Sequence, residues 1–212
     1  MTRTVSIASD GALHARQALE SCVAGGGVAV FPADTLYGLG CDPLSRTAIE
    51  RIHSLKGRDD GKPSAVMFFA PLAMRELLAT LGPRTRDALG ALLPGPVTTV
   101  VDNPQRRYPL ACREHGDRLG IRLIDGPLAG ARCAVFQTSA NRSGQPAPSR
   151  FEDVDEEILV DADLTIDGGE LLGTPSTVVD LTALDSGGSW SVLREGAVSP
   201  ARIAVGLGEP PD

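Results

Sequence analysis

The chain has 212 residues, 42% of them hydrophobic and only 4% aromatic, with a net charge of −7. That length and apolar share suit one domain with an aliphatic core. The scarcity of aromatics argues against stacking platforms for single-stranded nucleic acid, and the acidity against coating nucleic acid through bulk charge.

From about Asp10 to Ala24, Leu13, Ala15, Ala18, Leu19, Cys22 and Val23 recur at helical spacing, and Gly25-Gly26-Gly27 stops the helix. Val28–Phe31 is a continuous apolar run, the mark of a strand buried on both faces, and Pro32 ends it. Ala33–Gly40 reads as a loop. Ser45 is an N-cap for a helix lined by Ala48, Ile49, Ile52 and Leu55. Lys56 falls at its last turn, where the dipole favours a cation, and Gly57 at its C′ position. A strand follows at Ala65–Phe69, then helical segments near Leu72–Thr80 and Pro83–Leu92. Pro94-Gly95-Pro96 turns into a strand at Val97–Val101, and residues 102–118 read as an Arg-rich loop with some helix. Leu119–Leu123 alternates, which turns Arg122 away from the apolar side. A short helix around Leu128–Arg132 precedes a strand at Ala134–Thr138. The acidic stretch 151–161 reads as a surface helix. Strands near Leu164–Ile166, Ser176–Leu181 and Ser191–Arg194 and a helix after Pro200 follow. One domain over 1–212 is expected, with its core at about 10–205 and a loose tail at 206–212. Several late strands are joined by loops too short for a crossover helix. The expected class is therefore α/β with α+β character: a twisted mixed parallel and antiparallel sheet flanked by helices, with a concave ligand cleft.

Cys22, Cys41, Cys112 and Cys133 are scattered without a CxxC pair, so reduced thiols are expected rather than a zinc knuckle or a disulfide framework. With no leader pattern and no apolar run of about 18 residues, a cytoplasmic protein with no membrane partner is expected.

The chemistry centres on Lys56-Gly57-Arg58-Asp59-Asp60-Gly61-Lys62-Pro63. Of the 20 cationic residues only Lys56 and Lys62 are lysine; the other 18 are arginine. Lys is a compact point charge and Arg a planar fork, so both kinds together on glycine-flexible backbone suit an anion with several oxygens. Taken alone, the stretch equally fits a solvated charge run. Three further loops leave strand or helix ends and carry donors: Asp34–Gly40, Ser139–Gly144 and Gly173–Thr177. Such loops gather backbone N–H groups and hydroxyls around an anion. Neither a Walker A loop nor GxGxxG is present, and His14, His53 and His115 form no triad with a nucleophile. Positioning and charge neutralisation, as in phosphoryl or nucleotidyl transfer, fit better than proton transfer by His.

Seven stretches, in order, resemble the YrdC/Sua5 family. They are Pro32–Gly40, Lys56-Gly57-Arg58 with Lys62-Pro63, Pro94–Thr98, Gly120-Ile121-Arg122, Thr138–Gly144, Ser176–Asp180 and Leu193–Gly196. The resemblance covers about 10–205 and implies threonylcarbamoyl-AMP synthase activity of the short, single-domain form. That nucleotidyltransferase uses L-threonine, bicarbonate and ATP, releases pyrophosphate and serves t6A37 modification of tRNA through downstream modification proteins. The family's fold is a twisted mixed sheet with a concave surface. Its K-x-R…S-x-N tetrad falls on Lys56, Arg58, Ser139 and Asn141 as the catalytic set. Thr35, Tyr37, Lys62, Arg122, Thr138, Ser176 and Arg194 are the expected substrate and nucleotide contacts. Mg2+ is expected on the substrate phosphates rather than on protein ligands, with ATP as substrate and no organic prosthetic group. Ala33 stands where the family has Thr, and Asp59 and Asp60 add negative charge beside the loop. The rival readings are a diverged paralogue and an RNA-binding module using the same concave face for tRNA or double-stranded RNA.

Overall fold

The computed structural model describes residues 2–57 and 63–208. Among them, ten strands form one sheet: β1 (Arg3–Ser6), β2 (Ala29–Pro32), β3 (Tyr37–Cys41), β4 (Ala65–Phe68), β5 (Val97–Asp102), β6 (Arg118–Leu123), β7 (Ala134–Ser139), β8 (Leu164–Asp167), β9 (Thr177–Asp180) and β10 (Ser191–Arg194). Across the sheet they run β1-β8-β2-β3-β7-β4-β6-β5-β9-β10. The pairs β1–β8, β2–β8, β4–β6 and β5–β9 are parallel and the other five antiparallel, so the sheet is mixed as expected. The helices are α1 (Ile7–Asp10), α2 (Ala12–Ala24), α3 (Arg46–Leu55), α4 (Arg75–Leu78), α5 (Pro83–Leu92), α6 (Pro109–Cys112), α7 (Glu156–Asp161) and α8 (Pro200–Leu207). No described helix is long and apolar enough to cross a membrane.

The two sheet faces are covered unequally. On one, Val30, Leu39, Val66, Phe68, Ile121, Phe136 and Val179 share a core with Ile49 and Ile52 of α3, Leu89 of α5 and Ile203 of α8. On the other, α2 packs Ala15, Ala18, Leu19 and Val23 against Ala29, Phe31, Leu164 and Ile166. Leu19 and Val23 are buried and contribute about 1.5–3 kcal/mol each. Phe31 extends this cover over β3, where Gly38 has no Cβ; one would meet the Phe31 ring at 3.1 Å. Beyond β3 the same face, across β7, β4, β6, β5 and β9, floors a cavity.

Several expectations are corrected. Residues 37–40, read as part of a loop over 33–40, belong to the central strand β3: two glycines dilute its apolar pattern, and its partners on both sides supply the order. Arg3–Ser6, placed outside the core, is an edge strand that buries only Val5, too little for hydrophobic patterning to reveal. Residues 128–132 form a turn rather than a helix, with Gly130 at φ +95°. α8 continues to Leu207, past the expected core boundary. The Ser45 cap holds as read, its hydroxyl accepting from Ala48 N at 3.3 Å.

Candidate active site

The cavity has a volume of about 780 Å³. Its floor follows from strand alternation. β6 turns Leu119, Ile121 and Leu123 into one core and presents Arg118, Gly120 and Arg122 on the other face. The register sets Val100 beside Gly120 on one side, and on β4 and β7 pairs Ala65 with Gln137. The middle of the floor is thus Gly120, Ala65 and Val100, short side chains that leave depth. The described parts of all four donor-bearing loops contribute wall or anchor residues around it.

At one end, Lys56 is the C-cap of α3 and Gly57 follows at φ +73°, as the sequence indicates. The Lys56 ammonium donates to the carbonyls of Ser139 at 2.7 Å and Asn141 at 2.8 Å, and lies 3.5 Å from Asn141 Oδ1. Ser143 N donates to the Lys56 carbonyl at 2.9 Å, so the helix end and the β7 exit are tied from both sides. Ser139 Oγ donates to Asn141 Oδ1, and the Asn141 amide donates to the carbonyls of Arg142 and Gln145. Thr138 and Ser139 line the cavity. Arg58 and Lys62 lie outside the described residues.

At the other end, Arg122 does leave the apolar side as expected, but it is buried, 4% exposed. Its guanidinium pairs with Asp34 and lies 3.4 Å from Thr35 Oγ1. Burial pulls the guanidinium below its ordinary range, which Asp34 opposes; burial pushes the Asp34 carboxyl up, which Arg122 opposes. Asp34 Oδ2 and Arg122 Nε have no hydrogen-bond partner. Thr98 and Ser176 share a hydroxyl–hydroxyl bond of 2.8 Å. Arg194 donates to the Ser176 carbonyl at 2.7 Å, and burial lowers its guanidinium.

Tyr37 has its hydroxyl fully engaged within the protein. Its hydroxyl donates to the Gly169 carbonyl at 2.8 Å and accepts from Gly168 N at 2.9 Å, and the side chain is fully buried. Burial pushes its pKa to about 12. Tyr37 is among the residues lining the cavity, while its hydroxyl braces the 167–169 turn. Two residues absent from the expected contacts line the cavity, His115 and Arg118, and Asp34 of the 34–40 loop adds the ion pair with Arg122. Arg118 was detectable, because it shares the parity of Arg122 along β6. His115 was not, because only the folding of the 102–118 segment brings it to the wall. Among the described residues no group of three His, Cys, Asp or Glu side chains is arranged to hold a metal ion.

Comparison with known proteins completes the description. A family model for Sua5, YciO and YrdC sequences, described as "Telomere recombination", matches residues 21–196. A threonylcarbamoyl-AMP synthase of Nitrosococcus oceani is 38% identical over 130 residues, covering 58% of this chain and 69% of that protein. The structure of P. abyssi Sua5 complexed with L-threonine superposes with a TM-score of 0.80 at 27% identity, covering 99% of this chain. The chain spans 62% of the length of that Sua5. The E. coli YciO structure superposes with a TM-score of 0.80 at 25% identity, covering 96% of this chain and 100% of YciO.

Proposed function

The chain belongs to the Sua5/YrdC family, and from that membership we propose that it is a threonylcarbamoyl-AMP synthase. It forms threonylcarbamoyl-adenylate and pyrophosphate from L-threonine, bicarbonate and ATP, for tRNA t6A37 modification. The observation that supports this most is a cavity with two unlike ends on one floor. Ser139, whose carbonyl anchors the Lys56 ammonium, lines one end, and Thr35, Ser176 and Arg194 line the other; Lys56 and Asn141 sit behind Ser139 rather than in the lining.

The reaction joins two anions. Threonine's amine forms a C–N bond to bicarbonate carbon while the hydroxyl leaves with an amine proton as water; an oxygen of the resulting carbamate attacks the α-phosphorus of ATP as the bond to pyrophosphate breaks. Two unit charges about 4 Å apart repel by about 4 kcal/mol near a protein surface, so charge neutralisation is the main task. Lys56 and Arg58 serve it, with Lys62 in support. The two carbonyl bonds hold the Lys56 ammonium in place, so little reorganisation is required when phosphate enters. Ser139 and Asn141 hold phosphate oxygens, and Thr138 lies beside them. Thr35, Ser176 and Arg194 hold the amino acid and the nucleotide. Arg122 is already neutralised by Asp34 and shapes that end.

Mg2+ fits as a passenger on the nucleotide. The oxygen donors at this end include Ser139 Oγ and Asn141 Oδ1, and among the described residues no carboxylate cluster is arranged to hold a metal ion. When bound, the ion supplies further charge neutralisation on the phosphates. Pyrophosphate release with threonine and bicarbonate omitted in turn tests the proposal. Dependence on both supports it. Salt-dependent tRNA binding without ATP turnover would favour an RNA-binding module instead.

A further inference from the structure

We propose that Arg118 is a further contact for the polyphosphate, parked on Asp180 until a nucleotide enters. The inference rests on the cavity being a nucleotide site.

Position carries it first. Val66 pairs with Ile121, and Ala65 with Gln137. Val66 also pairs with Phe136, so moving back along β4 leads toward Arg118 on β6 and toward Ser139 on β7. Arg118 and Ser139 therefore lie toward the same end of the floor, on strands separated by β4. Arg122 lies four residues along β6, about 13 Å away. Arg118 therefore belongs to the Lys56–Ser139 end, where the phosphates are assigned, and lines the same cavity.

The state of its ion pair carries it further. Arg122 is locked to Asp34 with side chains only 5% and 10% exposed. Arg118, by contrast, is 50% exposed and meets Asp180 Oδ2 at 3.2 Å. Asp180 is 15% exposed, so the solvent-facing and exchangeable half of this pair is the arginine. Asp180 does not depend on it, because its other oxygen accepts from Thr182 N at 2.9 Å and Thr182 Oγ1 at 2.7 Å. Asp102, opposite Arg118 in the β5–β6 register, is a second nearby acid. Arg118 can swing from Asp180 to a phosphate while the two Thr182 bonds stay on the Asp180 carboxylate. When the bond from the α-phosphorus breaks, its electron pair goes to the departing pyrophosphate oxygen. Arg118 then offsets the charge gained there.

Titration of the full chain with inorganic pyrophosphate and Mg2+ tests the assignment. Arg118→Ala should bind about tenfold more weakly, the scale of one charge-assisted hydrogen bond. Asp180→Asn should bind as tightly as the parent, or up to about fivefold more tightly, because it frees the arginine. A merely structural pair predicts equal effects of the two variants. Equal losses, or unaltered affinity in Arg118→Ala, would overturn the proposal. If ATP turnover proved independent of threonine and bicarbonate while Arg118→Ala still weakened pyrophosphate binding, the proposed reaction would fail and this assignment would stand.

Discussion

Replacing Arg122 with Met keeps most of the side-chain volume and leaves the Asp34 carboxylate buried opposite an apolar group. Both side chains are at least 90% removed from solvent. Removing one partner of a buried pair costs about 3–5 kcal/mol, because the survivor keeps its desolvation penalty. For a domain of this size each kcal/mol moves the melting temperature by about 2–4 °C, so a fall of about 6–20 °C at neutral pH is expected. The pH dependence is more diagnostic. Asp34 already holds its proton more tightly in the fold than the usual 3.8 of a carboxylate, since burial outweighs Arg122. In the window just above 3.8 the folded state binds more protons than the unfolded chain, and this contribution to stability is lost as pH rises. Deleting the guanidinium removes the largest opposing influence, so the window extends upward. The gap between parent and Arg122→Met should therefore shrink on acidification, as Asp34 takes up a proton. Asp34→Asn combined with Arg122→Met should recover most of the loss. Thermal melts of the three proteins from neutral pH down to the carboxylate range provide the assay. A gap that stays constant with pH, or a double variant no better than Arg122→Met, would refute the reasoning.

Lys56→Met should lower pyrophosphate release by at least about a hundredfold, the scale of losing one preorganised charge-stabilising donor. It should also cost about 1–3 kcal/mol in chemical denaturation, since two carbonyls lose their donor. Tyr37→Phe should cost about 1–3 kcal/mol of stability by stripping Gly168 and Gly169 of their partner, with KM for threonine little changed. A large rise in that KM would place the Tyr37 hydroxyl among the substrate contacts instead. Gly120→Val adds a side chain to the cavity floor, where even the first carbon would come 3.4 Å from Ala65. Thermal stability should hold or rise, since glycine weakens a strand by about 0.5–1 kcal/mol, while KM for ATP or threonine increases.

Local physical chemistry settled much of this protein before folding enters. Ser45, the spacing of Ala48, Ile49, Ile52 and Leu55, and Gly57 delimit α3, because capping and helical periodicity act over a few residues. The alternation of 119–123 puts Arg122 on the face opposite the main core, and would have put Arg118 there too had it been followed one step further. What lay beyond the sequence depended on partners far along the chain. β3 is a strand because β2 and β7 flank it and Phe31 overlies Gly38; its own residues show a glycine-rich turn. Nothing in the sequence around Tyr37 shows that its hydroxyl is held by a turn some 130 residues later. Arg122 reads locally as a solvent-facing cation and becomes buried only because Asp34 is folded back over the open sheet face. Short-range patterns thus determined which elements form and which way their side chains point. Only long-range packing decided which polar groups are buried, and so which of them stay available for chemistry.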